Sequence, residues 1–437
     1  MTYRRSLLVP ALLAVLAAPA SAQQRSVSLS EAITMAQRVQ PATVQAQGAI
    51  RSADAQKLAA YGEFMPSVNY TASASTAHND LPSYTDPNGQ VHSKSSTSNT
   101  FSNGISASID LFTGLRRGAD LSAATASQRA ADAGLVNARY QVALTTTQSF
   151  ITALTQDQLV GVDSEAVDRA AAQLQVATNK LHVGAATRSD SLTALVALGT
   201  ARLNLVNARA QLAGAQAALG RLIGVTGQVS ALDDSTFHHV VESIDTAQIR
   251  LDAAAQSPSV QAADANAAAA HASLRASRSA YSPTLALSAG LSWAGSWLDT
   301  IPHGLNTYPS RNIRLSLNWP IFNGFARERT ITQQSVAAEN ADATAQDTRR
   351  QLDASITQYL AQLDAARQNI AISETSVASA QEALRVVQDR YRAGAATIVD
   401  VQVAQDALNT AEVSVLQARF SYLTAKAQIE ALIGRPL

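Results

Sequence analysis

The chain has 437 residues, 33 basic against 33 acidic for a formal charge of zero, no cysteine, and 5% aromatic residues. Balanced charge without a basic block argues against a nucleic-acid partner, and the missing thiols exclude disulfides, thiolate metal sites and a lipid anchor on a post-signal cysteine. Scarce aromatics and plentiful alanine suit slender, closely packed helices better than one large globular core.

Arg4 and Arg5 precede the apolar run 7–18, and Ala20-Ser21-Ala22 places small residues ahead of Gln23. Residues 1–22 therefore read as a secretory signal peptide, with the mature chain starting near Gln23. No other stretch reaches the roughly 20 apolar residues that a spanning helix needs.

The mature chain says the same thing twice. Pro41 and Pro66 return as Pro258 and Pro283 at an offset of 217. Leu111-Phe112-Thr113-Gly114 returns as Ile321-Phe322-Asn323-Gly324, Gly184-Ala185-Ala186-Thr187 as Gly394-Ala395-Ala396-Thr397, Asp190 as Asp400, and Leu222-Ile223-Gly224 as Leu432-Ile433-Gly434, all at 210. Shared Gly, Pro and Asp at one offset mark a duplication. The first repeat is 23–227, an inter-repeat segment is 228–247, and the second repeat is 248–437. The seven-residue difference falls between the two strands of a half, where a surface connection absorbs an insertion.

After a short helical stretch, each half switches to a period of two. In the second repeat Leu285, Leu287, Ala289, Leu291 and Trp293 alternate with small polar residues, as do Ile313, Leu315, Leu317, Trp319 and Ile321. Val68, Tyr70, Ala72 and Ala74, then Ile105, Ala107, Ile109 and Leu111, form a weaker version in the first. Strands are expected within about 66–113 and 283–323. Each run is about ten residues, the length of a tilted membrane strand, though an ordinary sheet with one wet face has the same pattern. The connections 76–100 and 294–310 are rich in Ser, Asn, Pro, Gly and His and read as solvent loops. Four spanning strands cannot close a barrel or leave open edges in lipid, so spanning strands require oligomerisation. Two copies would supply eight strands and three would supply twelve.

The period then becomes seven. Val160, Val167, Leu174 and Leu181 on one descending arm match Ile356, Leu363, Ile370, Val377, Leu384 and Tyr391 on the other. Leu198, Leu205, Leu212 and Leu219 are mirrored by Leu408, Val415, Tyr422 and Ile429 on the return arms. Such spacing specifies long antiparallel helical hairpins, at about 115–222 and 325–433. At 1.5 Å per residue a descending arm reaches roughly 100 Å. Gly184 and Gly394 end the descending arms, and Asp190 and Asp400 fall in the first turns of the return arms, where a carboxylate suits the helix dipole.

No Gly-x-Ser-x-Gly elbow, phosphate-binding glycine loop or His-Glu-x-x-His is present, so an enzyme is not expected. His238 and His239, following Asp233 and Asp234, lack spaced partner ligands and read as linker residues. No metal or cofactor is expected.

Together the two-fold repeat, the prolines, the strand-to-helix passages at Gly114 and Gly324, and the turns at Gly184 and at Tyr391-Arg392-Ala393-Gly394 resemble the TolC family of outer-membrane efflux proteins. The resemblance covers nearly all of the mature chain. It implies a mainly α fold with a membrane β-barrel portion, completed as 12 strands by a homotrimer and continuous with a 12-helix periplasmic tunnel. It implies an outer-membrane location reaching into the periplasm, a periplasmic adaptor (membrane fusion protein) as partner, and an inner-membrane transporter engaged through it. Passage would be passive, for drug or small-molecule efflux or, by the same design, type I protein secretion. A periplasmic coiled-coil adaptor or scaffold shares the helices and signal but not the amphipathic strands. By the same resemblance Asp190, Asp400 and Tyr391 form a periplasmic gate. The turns Gly184, Ala185, Ala186, Thr187, Gly394, Ala395, Ala396 and Thr397 meet the adaptor. Trp293 and Trp319 suit an interfacial aromatic belt. Ala396 and Val403 stand where the family can carry an arginine and a second gating aspartate, so the latch differs.

Overall fold

The computed structural model describes residues 25–233, 245–295 and 309–435. The signal peptide, His238, His239 and Trp297 lie outside them. In chain order the elements are β1 (Arg25–Val27), α1 (Leu29–Val39), α2 (Pro41–Gly62), β2 (Ser67–Thr85), β3 (Val91–Phe112), α3 (Arg116–His182) and α4 (Arg188–Ile223). The second half follows with β4 (Val229–Ala231), α5 (Thr246–Gln256), α6 (Pro258–Arg278), β5 (Thr284–Gly295), β6 (Ser310–Asn318), α7 (Ala326–Arg392) and α8 (Ile398–Ile433). The short helices repeat at 217 and the long ones at 210, as the duplication requires.

Pro41 and Pro258 each occupy the first turn of a helix, where the missing N–H costs nothing. Pro66 and Pro283 stand directly before β2 and β5. The passage from strand to long helix uses two consecutive left-handed residues in each half, Gly114 and Leu115 in one, Gly324 and Phe325 in the other. A Cβ on Gly114 would lie 2.1 Å from the Ser282 side chain, so that turn is closed to larger residues.

α3 and α7 have 67 residues each and α4 and α8 have 36, so the descending arms are roughly 100 Å and the return arms about 54 Å long. α4 and α8 therefore accompany only the lower part of α3 and α7. The upper part packs on α2 and α6. At the junction β1 pairs in parallel with β4, and Val27, Ala36, Phe150, Leu219, Ile223 and Val229 form one core. Its counterpart gathers Ile249, Ala253, Val260, Ile356, Leu363, Tyr422, Ile429 and Ile433.

The heptad column of α7 is confirmed by burial of Ile356, Leu363, Ile370, Leu384 and Tyr391. Its counterpart on α3 needs correction. Val160, Val167, Leu174 and Leu181 are half-buried, while the fully buried line runs through Asp163, Ala170 and Ala177. α3 is flanked by both α4 and α8, and the crevice between them accepts small or polar side chains better than branched ones.

Four strands form one antiparallel sheet in the order β2-β3-β5-β6. Its register puts Val68, Ala107, Ala289 and Ile313 in one row and Tyr70, Ile105 and Leu291 in another, all on one face. The opposite face carries Ser67, Ser108, Ser288 and Arg314, then Asn69, Ser106, Gly290 and Asn312. Two expectations are overturned here. Residues 76–100 are not a loop, because β2 and β3 extend to 19 and 22 residues and turn at Asp86. Polar rungs hold this extension: Ser73 to Ser102 at 2.7 Å, Thr76 to Asn99 at 2.9 Å, His78 to Thr97 at 2.7 Å. With neither face dry, the alternation that betrays a strand is absent. The last strand, in turn, stops at Asn318 and excludes Trp319 and Ile321, since Pro320 has no N–H for the ladder.

Candidate functional site at the hairpin tips

Both hairpins close by the same local chemistry. At the end of α3 the Ala185 N–H donates to Lys180 O at 2.8 Å and Gly184 N–H to Leu181 O at 3.1 Å; Ala395 to Arg390 and Gly394 to Tyr391 repeat those distances. This is a Schellman closure, which needs a left-handed residue, and Gly184 and Gly394 supply φ of 74° and 79°. The return helices start on a reciprocal box. Thr187 Oγ1 accepts from Asp190 N–H at 3.2 Å while the Asp190 carboxylate accepts from Thr187 N–H at 2.9 Å. Thr397 and Asp400 repeat it at 3.2 and 2.8 Å, and the Thr397 hydroxyl also donates to Asp400 at 2.8 Å.

Asp400 is exposed. The Thr397 backbone N–H and hydroxyl, with help from the Arg390 charge, hold its carboxyl below the usual carboxylate range. Gly184, Ala185, Thr187, Gly394, Ala395 and Thr397 are exposed; Ala186 and Ala396 are half-buried. Small side chains leave these turns low in profile.

The two tips share one core. Ala177 of α3 and Ala194 of α4 pack with Leu384, Tyr391, Ile398, Val401 and Leu408 of the other hairpin. Tyr391 is only 4% exposed, and its hydroxyl has no hydrogen-bond partner among the described residues. Burial, and secondarily the negative charge of Asp190, push its phenol pKa up. Lys180 caps the arrangement: its ammonium lies 4.3 Å from the Tyr391 ring centroid and donates to the Tyr391 carbonyl. So the structure brings Tyr391 near Asp190 but leaves Asp400 exposed and bonded to Thr397 of its own turn. Lys180 was not singled out from sequence, although it stands 210 residues before Arg390 at the repeat position.

Above the tip core lies a cavity of about 120 Å³, lined by Asp163, Arg169, Thr200, Asn204, Gln405 and Asn409 among others. Arg169 crosses from α3 to α8 to bind Glu412 in a fork at 2.8 and 3.4 Å. Asp163 is 9% exposed, and burial raises its carboxyl pKa. Higher up, Trp293 is half-buried on the dry face of the sheet, and Trp319, 60% exposed, donates its indole N–H to Tyr281 O at 3.2 Å.

A sheet with one exposed apolar face and one polar face, standing on paired hairpins of roughly 100 Å, defines the class of outer-membrane proteins that join bilayer strands to periplasmic helices. Residues 17–225 and 250–435 match the family model for outer membrane efflux proteins. The chain belongs to that family, and with it to the outer membrane, its hairpins extending into the periplasm. It is 27% identical over 264 residues to the outer membrane efflux protein BepC of Brucella suis, a match covering 60% of this chain and 56% of BepC. It is 26% identical to the pyoverdine export outer membrane protein OpmQ of Pseudomonas aeruginosa, over 88% of this chain and 80% of OpmQ. The fold matches the CmeC outer membrane channel of Campylobacter jejuni with a TM-score of 0.78 at 19% identity, over 93% and 85% of the two chains. The matched stretch thus spans little more than half of BepC, the first of these relatives.

Proposed function

We propose that three copies assemble into a channel that gives small molecules passive exit across the periplasm and outer membrane. One observation carries this: the protomer is open along two opposite flanks. Among the described residues β2 and β6 are unpaired sheet edges, and α4 and α7 are the outer helices of the two hairpins, with α3 and α8 between them. On α4, Leu192, Val196, Leu203 and Val206 are 53–66% exposed and follow a heptad with the exposed Gly199. On α7, Ile372 and Val386 are exposed on a matching line. Different flanks that complement one another generate a ring, and twelve strands with twelve long-helix segments would close both barrel and tunnel. Passage through it would be passive. A periplasmic adaptor at the tips, and an inner-membrane transporter engaged through it, would supply the energy and cargo. OpmQ, described as a pyoverdine export outer membrane protein, supports the export reading.

Within that assembly Asp190, Asp400 and Tyr391 act as the periplasmic gate, with Asp400 repeated three times as a ring that favours cations. The eight tip-turn residues meet the adaptor's helices, and Trp293 and Trp319 mark the two bilayer interfaces. The absence of native cysteine makes the test clean. Val196→Cys with Val386→Cys, at similar heights on α4 and α7, should give an oxidised ladder ending at a trimer in detergent-extracted outer membranes. A freely soluble monomer, or a ladder that stops at a dimer, would refute the assembly. Asp400→Asn should shift the ion selectivity of single channels towards anions in planar bilayers; unchanged selectivity would remove Asp400 from the gate.

A further inference from the structure

The geometry points to Arg314 as a ring of fixed positive charge inside the barrel that binds anionic solutes at the outer-membrane end, an inference that rests on the trimeric barrel proposed above. Where all four strands pair, the wet face is built of small neutral residues: Ser67, Ser108 and Ser288 share a row with Arg314, Asn69, Ser106 and Gly290 share one with Asn312, and Thr71, Gly104 and Ser292 share one with Ser310. Asp110 and Arg314 are the acidic and basic side chains on that face in these rows and the next. Asp110 is occupied. The Arg117 guanidinium donates to its carbonyl and lies 3.9 Å from its carboxylate. Arg314 has neither hydrogen bond nor ion pair among the described residues, so its charge is uncompensated.

An arginine that served only to hold strands together would be expected to grip a carboxylate or carbonyl, as Arg117 does. Arg314 instead projects from a row of serines, and in the neighbouring row Gly290 makes room for the Asn312 side chain, whose Oδ1 would lie 2.5 Å from a Cβ there. Dimensions make the charge effective. Twelve strands about 4.8 Å apart at a tilt of about 40° enclose a backbone radius of roughly 12 Å. A guanidinium reaching inward would lie about 6 Å from the axis, inside the ~8 Å screening length of physiological salt. Arg311, three residues earlier, is on the dry face beside Leu291 and cannot contribute to the lumen. Solutes carrying carboxylate, sulfate or phosphate groups are the class such a ring concentrates.

The test is single-channel recording of the trimer in planar bilayers with inorganic triphosphate added on the barrel side. Wild-type current should fall when the voltage drives the anion inward. Arg314→Gln should weaken that block about tenfold or more, Arg314→Lys should retain it, and Arg311→Gln should leave it as in wild type. A wild-type channel that conducts but is insensitive to triphosphate, or an Arg314→Gln channel blocked as strongly as wild type, would overturn the inference while leaving the barrel standing. Failure of any preparation to form a trimeric conductance would overturn the barrel itself, and this ring with it.

Discussion

Tyr391 is a core residue with an unsatisfied hydroxyl, which separates the two things its side chain can do. Within the protomer the ring fills space between the hairpins and supports Lys180, whereas the hydroxyl contributes no hydrogen bond among the described residues. Tyr391→Phe should therefore change thermal stability by no more than about 1 kcal/mol, while Tyr391→Ala should cost about 3–5 kcal/mol through the cavity it leaves. If the phenylalanine variant loses as much as the alanine variant in thermal dissociation of the trimer, the hydroxyl has a partner in the assembly. Thr397 is a second separable residue. Its replacement by alanine removes the hydroxyl half of the capping box and should cost about 1 kcal/mol. Asp400, held below its ordinary pKa, contributes stability that is present above the usual carboxylate pKa and is lost as pH falls through the depressed value.

At the scale of elements, the middle of the seam between α3 and α8 is polar where a coiled coil is ordinarily dry. Asp163, Gln173, Gln405 and Asn409 line the crevice or its lower extension, and Gln173 Nε2, Gln405 Nε2 and Asn409 Oδ1 are buried without partners among the described residues. The Asp163 carboxyl has its pKa raised by burial alone, so its ionised form is a burden on the fold. The linkage has a definite sign: the penalty is absent below the unfolded value, grows as pH rises from there to the raised folded value, and is fully present above it. Asp163→Asn should accordingly stabilise the hairpin pair at pH 7 and remove the gain that wild type shows on mild acidification. Thermal melts at pH 5 and pH 7 would reveal it, and a wild-type protein with no such pH dependence would count against a strained carboxylate here. Along this stretch the Arg169–Glu412 fork ties α3 to α8, whereas higher up Ile151 and Leu154 of α3 pack on Phe420 of α8.

For the molecule as a whole, the exposed heptad of α4 is the most economical handle. Leu203 is 60% exposed in the protomer and would be covered in a trimer. Leu203→Glu should then lower the temperature at which trimers dissociate and release monomers in detergent, with little effect on the hairpin's own helicity. Equal trimer stability in wild type and variant would place α4 outside the interface. The opposite signs at the two ends, carboxylates at the tips and Arg314 at the barrel, would make the channel electrically asymmetric along its axis.

Periodicity and glycine and proline placement settled most of the architecture before any contact was known, because both act locally. A period of seven or two forces a face, proline at a first helical turn sets a start, and a left-handed glycine sets a stop. The hairpin ends at Gly184 and Gly394, the carboxylates Asp190 and Asp400 in the first turns of the return arms and the duplication were all legible for that reason, while the reciprocal bonds of Thr187 and Thr397 came with the structure. What only the tertiary structure decided depends on which neighbours share a contact. The buried line of α3 moved from Val160 and Val167 to Asp163 and Ala170 because α3 lies between two helices, and residues 76–100 became strand because a two-sided polar ribbon leaves no alternation to read. Lys180 over Tyr391 and the lone charge of Arg314 emerged in the same way, since a side chain's partners, or its lack of them, are set by distant segments that no local pattern brings together.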